Sequence, residues 1–237
     1  MATDIWRQSI SAEQTDAEVS FLISRLKLSK GDKVLDVPCA DGRLALPLAR
    51  KGIEVTGVDL STRCLSAAKM DAESAGRLPL NYVQSDMRGL SWRGQFDAAF
   101  CMGNSFGYFD PKDTGKFLEG VAQSLKSGGG FILDTCLAAE TFFTVGGTKE
   151  WVESDGILML MENSYRCDLN RLDSRFIFIS GGTTEEHNTH HWIFTAGEIC
   201  RLCDQAGLQV VELLGSLDGE PFSVGSDRLL LHAVKPD

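Results

Sequence analysis

Val34-Leu35-Asp36-Val37-Pro38-Cys39-Ala40-Asp41-Gly42-Arg43 reads as a short strand, a tight turn and the first residues of a helix. The small residues at positions 40 and 42 let a ligand approach the backbone. A helix that starts at such a turn offers free N–H groups to a carboxylate or other anion. Seventeen residues past Gly42 a second strand ends at Asp59, followed by Leu60 and Ser61. An acid at that place can accept hydrogen bonds from both hydroxyls of a ribose. A third strand runs into Ser85-Asp86-Met87. There an acid suits an adenine amino group and an apolar side chain suits the ring face.

Working outward, strands and helices alternate through the first half. Val19, Leu22, Ile23 and Leu26 are spaced as one helical face within residues 12–28, and Lys30-Gly31-Asp32 breaks the pattern. Strands are expected at Lys33–Val37, Glu54–Val58, Leu80–Val83, Phe96–Cys101 and Gly130–Asp134. Helices are expected at Leu44–Arg50, after the capping Ser61, and at about 113–126 before Ser127-Gly128-Gly129. Alternation with spacers this short implies an α/β fold with a parallel, doubly wound sheet. The second half differs. Trp151–Arg166 and Ser174–Ser180 read as strands joined by a polar turn at 168–171, with no helical pattern between them, so antiparallel pairing is expected. A helix at Thr195–Ala206 and strands at Leu208–Leu214 and Arg228–Val234 close the chain.

The chain has 237 residues, 43% of them hydrophobic and 24% charged, which is enough apolar content for a buried core. Lys plus Arg is 23 against 33 for Asp plus Glu, a formal charge of −10. That balance argues against a nucleic-acid partner, which needs clustered Lys and Arg. No run of about 18 apolar residues exists, so no membrane partner is expected. The opening residues Met1 to Ser11 lack a basic stretch followed by an apolar one. Seven scattered cysteines read as reduced thiols. Together these favour a cytoplasmic location. Nothing in the sequence speaks to oligomeric state.

The ordered set of motifs resembles the class I S-adenosylmethionine-dependent methyltransferases. Asp36, Pro38, Ala40 and Gly42 fall on the first motif, with Pro38 and Ala40 standing where glycines are common. Asp59 matches the ribose-binding acid and Asp86-Met87 the adenine-side pair. Phe96-Asp97 and Leu125-Lys126-Ser127-Gly128-Gly129 match at strands four and five. The match is good over about residues 15–135. A Gly103-Asn104-Ser105-Phe106-Gly107-Tyr108-Phe109 segment, with Thr15, Glu18 and Val19 early and Gly219, Pro221 and Phe222 late, looks like bacterial small-molecule enzymes. The resemblance implies a seven-stranded Rossmann-like sheet. It implies one methyltransferase domain over residues 1–237, with a core at about 12–137 and 195–237. An antiparallel insertion at about 140–193 would cover the substrate cleft. It implies S-adenosyl-L-methionine as cofactor and S-adenosyl-L-homocysteine as product. Asp36, Pro38, Ala40, Gly42, Arg43, Asp59, Leu60, Asp86, Met87, Cys101 and Met102 would line the cofactor.

Methyl transfer to a small N or O nucleophile needs position and desolvation more than acid–base chemistry. The absence of an Asn/Asp-Pro-Pro-Tyr motif and the negative charge point to a small acceptor, an amine ranking above a phenol or carboxylate. Asn104, Tyr108 and Trp192 are the candidate acceptor contacts, and His190, His191 and Tyr108 the candidate catalytic groups. Alternation along a strand sends His190 and His191 to opposite faces, so one at most faces the cleft. Trp6, Phe106, Phe142 and Phe143 add aromatic surface for an alkylammonium or a ring. Glu162 and Arg166 share one strand face and are candidates for an ion pair across the cleft. Cys200 and Cys203 with the two histidines form a conceivable zinc set. They sit in an amphipathic helix where cysteine serves as a small hydrophobe, so no metal is expected. Two alternatives stand beside the methyltransferase: a non-catalytic nucleoside-binding protein and an NAD(P)-dependent oxidoreductase. The second needs Gly-x-Gly-x-x-Gly after the first strand, and the turn here holds a single glycine.

Overall fold

The structure, a computed structural model, describes residues 10–145, 149–154 and 156–237. Eleven strands are among them: β1 Lys33–Asp36, β2 Glu54–Asp59, β3 Leu80–Gln84, β4 Phe96–Cys101, β5 Leu125–Thr135, β6 Lys149–Ser154, β7 Ile157–Arg166, β8 Arg171–Ser180, β9 Thr183–Trp192, β10 Gln209–Leu214 and β11 Leu229–Val234. The helices are α1 Ala12–Arg25, α2 Ala45–Arg50, α3 Thr62–Ser74, α4 Pro111–Ser124, α5 Ala139–Val145 and α6 Ala196–Gln205, with a 3₁₀ turn at Met87–Gly89.

Seven strands form one sheet in the order β10-β11-β5-β4-β1-β2-β3. β1 pairs in parallel with β2 and β4, β2 with β3 and β4 with β5. β11 alone runs against its neighbours β5 and β10. The central strands are apolar because helices cover both faces. One core cluster holds Phe117, Leu118 and Val121 of α4 and Ile199 and Cys203 of α6. The other holds Val19, Phe21 and Leu22 of α1 and Leu48 and Ala49 of α2. The order in which the strands are laid down reverses between β1 and β4, and that switch point opens a crevice at the strands' carboxyl ends.

Helix starts follow local chemistry. Ser11, Ser61, Asp110 and Thr195 each accept a backbone N–H of the first turn, and Thr195 with Glu198 completes a capping box. The second sheet is β6-β7-β8-β9, antiparallel throughout. The expected strand Trp151–Arg166 is two strands, because the chain turns back at Gly156. β8 begins at Arg171 rather than Ser174, and Gly181-Gly182 turns it into β9. A short helix, α5, lies inside the segment expected to hold only strands. It is anchored by a bridge between Ala138 and Phe194 and by Glu140, whose carboxylate accepts the Ala196 N–H.

Candidate active site

The tips of β1 and β2 meet through one carboxylate. The backbone N–H of Ala40 donates to Asp59 Oδ2 at 2.8 Å, and the N–H of Ser61 donates to Oδ1 at 2.8 Å. Ala40 takes φ +47°, a left-handed conformation that costs an alanine about 1 kcal/mol or more. The charge-assisted bond to Asp59 offsets that cost. Gly42 has φ +78°, and a Cβ there would collide with the hydroxyl of Tyr82 on β3, so only glycine fits. Leu60 is 66% exposed beside Asp59, while Met87 is buried. Asp86 is held by Arg88, whose guanidinium donates to both of its oxygens and lowers its pKa.

Beside this turn lies a cavity of about 170 Å³ lined by Asp36, Pro38, Ala40, Arg43, Met102 and Gly103, among others. Asp36 is buried at the end of β1, and loss of water raises its pKa well above the usual range, with Arg43 opposing. Cys101 and Met102 are buried at the end of β4. Burial raises the pKa of the Cys101 thiol, so it is inert packing at neutral pH. Behind the cavity runs a chain of charges. Arg43 Nη2 meets Glu18 Oε2 at 2.6 Å, and Arg228 meets Glu18 Oε1 at 3.4 Å and Asp134 at 2.7 Å. Asp134 also accepts the N–H of Gly103.

That bond begins the loop that follows β4. Asn104 accepts from Thr135 Oγ1 and the Cys136 N–H, both at 3.0 Å, so its side-chain oxygen braces the loop against the tip of β5. Gly107 accepts the Trp192 N–H at 2.7 Å. The Tyr108 ring then lies 4.8 Å from His191, centroid to centroid. Tyr165, Leu172 and His191 stand opposite one another across β7, β8 and β9 and so share one sheet face. Phe143 packs edge-on against Tyr165 at 4.9 Å, with Phe142 beside them. Phe106 is core, 3% exposed. Burial lowers the His191 pKa to about 4.

His190 and Trp192 do not join this group. His190 Nδ1 is 2.8 Å from Asp173, which Arg171 also holds. The Trp192 ring sits under the Arg171 guanidinium and against the core. Both lie on the face opposite His191. Glu162 pairs with Lys149 and Arg166 with Asp168, rather than with each other across a cleft. Trp6 lies outside the described residues.

Residues 34–129 match a family described as a methyltransferase domain. Over that stretch the chain is similar to methyltransferases. It is 36% identical over 109 residues to the putative methyltransferase YqeM of Bacillus subtilis, covering 45% of this chain and 43% of that protein. It thus spans under half the length of that relative. It is 28% identical over 208 residues to the cypemycin N-terminal methyltransferase of a Streptomyces species, covering 85% and 82%. An S-adenosylmethionine-dependent methyltransferase structure from Clostridium acetobutylicum superimposes with a TM-score of 0.82 at 20% identity, over 98% of this chain and 94% of that one.

S-adenosylmethionine is the cofactor named for that structure, and the residues present fit it. The cavity between β1 and β4 carries a buried acid and a guanidinium, a pair that matches an ammonium and a carboxylate. The Asp59 carboxylate stands fixed beside it. Sequence reading passed over Tyr82, Arg228, Asp134 and Tyr165 at this site. For Tyr82 a signal existed, since Gly57 faces it on β2 as Gly42 does at the turn. For Arg228 and Asp134 there was none, because their contacts span 94 residues.

Proposed function

We propose that this protein moves the methyl group of S-adenosylmethionine to a nitrogen or oxygen nucleophile of a small molecule, with an amine the favoured acceptor. The observation that carries the reading is the Asp59 carboxylate, held by two backbone N–H groups beside the Asp36–Arg43 cavity. In this reading Asp59 takes the ribose hydroxyls, and Leu60 and Met87 flank the adenine near Asp86. Asp36, Pro38, Ala40, Gly42, Arg43, Cys101 and Met102 enclose the amino-acid end. Support for an amine comes from the formal charge of −10 and from the relative named as the cypemycin N-terminal methyltransferase. The sheet β6–β9 with α5, within about 140–193, roofs the acceptor, and residues about 12–137 and 195–237 form the core beneath.

When bound, the cofactor supplies an electrophilic methyl on a sulfonium centre. The chain's own task is to aim a lone pair at it and exclude water. His191, unprotonated at neutral pH, accepts an N–H or O–H hydrogen bond from the acceptor and directs its lone pair. With a pKa near 4 it is a weak base, so it orients rather than removes a proton. Tyr108 holds the imidazole and closes the apolar wall. Asn104 acts by setting the loop that carries Tyr108. His190 and Trp192, on the opposite face, brace β9 and the loop instead.

Calorimetric titration with S-adenosylhomocysteine tests the reading. Wild type binds it, and Asp59→Ala weakens binding by roughly 10- to 100-fold, as loss of charge-assisted hydrogen bonds requires. No binding at millimolar ligand, or an unchanged affinity in the variant, would overturn it.

A further inference from the structure

Thr15 and Glu18 belong to α1, three residues apart and therefore on one face of the helix. Glu18 is 1% exposed, placed among Val19 and Leu22 on the side that enters the core. A carboxylate so placed persists only if cations meet it. Each of its oxygens has its own guanidinium. Oε2 faces Arg43 Nη2 at 2.6 Å, and Oε1 accepts from Arg228 Nη2 at 3.4 Å and Gln14 Nε2 at 3.4 Å. One turn earlier, Thr15 Oγ1 accepts from Arg43 Nη1 at 3.2 Å. Two residues of α1 thus grip the two ends of one planar fork. Arg43 in turn lines the cavity with Asp36, Pro38 and Ala40. An arginine free to rotate would give up much of its rotamer freedom on meeting a ligand. Held by Thr15 and Glu18, it has already given it up.

We propose that Glu18 is a positioning residue of the cofactor site. With Thr15 it fixes the Arg43 guanidinium at the cavity wall, where that group meets the amino-acid end of the cofactor. Glu18 acts through Arg43 and touches no ligand. Arg228 balances the second carboxylate oxygen and leaves the first to Arg43. The proposal rests on the S-adenosylmethionine reading given above.

Two variants and two probes test it. Titrations with S-adenosylhomocysteine and with adenosine, which lacks the amino-acid end, are compared in wild type, Glu18→Gln and Thr15→Val, with melting curves to check folding. Glu18→Gln is expected to weaken S-adenosylhomocysteine binding about tenfold and Thr15→Val about threefold, while adenosine affinity stays within about twofold. If both probes weaken together in the variants, or S-adenosylhomocysteine affinity is unchanged, the positioning role is wrong while the cofactor reading stands. If Glu18→Gln has no cooperative melt, Thr15→Val decides alone by the same criterion. A wild-type protein that binds no S-adenosylhomocysteine removes the cofactor reading and this proposal together.

Discussion

Burial of the His191 imidazole beside Tyr108 gives a single residue a pH signature. Its pKa falls from the ordinary 6.5 to about 4, burial being the main cause and His190 adding to it. Between these values the unfolded chain binds a proton that the folded one does not. Stability linked to this group is therefore complete above about pH 6.5 and declines as pH drops towards 4. The loss is on the order of 3 kcal/mol at most, because part of the ring meets water. A His191→Phe variant should show a flatter fall of melting temperature between pH 6.5 and 4 than wild type. An equal slope in both would remove the assignment. At this scale the place of Asp59 was legible, because an acid at a strand end falls beside the turn after the neighbouring strand, where the N–H groups of Ala40 and Ser61 meet it. The choice between His190 and His191 was not legible. Alternation says they part, and only the packing of Tyr108 says which way each goes.

Among the elements, the loop after β4 depends on one close approach. Gly107 has φ +96°, and a Cβ there would lie 2.8 Å from the Trp192 carbonyl oxygen, a backbone atom that cannot swing aside. Gly107→Ala should cost on the order of 2 kcal/mol in stability from strain and displaced contact. Methyl transfer should fall well beyond that, since the loop carries Tyr108, while S-adenosylhomocysteine affinity stays within about twofold. Melting curves, a turnover assay and a titration check the three parts. Element boundaries were readable where burial is continuous: Phe96–Cys101 matches residue for residue. The strand read across Trp151–Arg166 failed at Gly156, because a hairpin turn inside a long polar-apolar alternation looks like more strand. α5 was missed because seven residues carry too little helical period to stand out, and its anchors Phe194 and Ala196 are distant in the chain.

For the whole molecule, ligand binding should appear as stability. A ligand at a hundred times its Kd adds about 2.7 kcal/mol to the folded state. For a chain of 237 residues that raises the melting temperature by roughly 5–10 °C. S-adenosylhomocysteine should produce such a rise, and NAD or NADP none. A rise with NAD alone would restore the oxidoreductase alternative. The cavity sits where the global strand order reverses, between β1 and β4, and its lining is drawn mainly from the tips of those two strands and the segments that follow them. No helix among the described residues is long and apolar enough to cross a membrane.

What the sequence alone determined is the parallel core and the tight turn after β1, because both follow from near neighbours. A strand, a tight turn and a helix start lie within ten residues, and the acid at the next strand tip follows by the short spacing of βα units. The tertiary structure decided the antiparallel course of β11 within the sheet, the pairing of Arg43 and Arg228 with Glu18, and the meeting of Tyr108 with His191. These contacts join side chains or strands tens to hundreds of residues apart. No local propensity encodes them, and they exist only once the buried charges must find partners and the two sheets pack together.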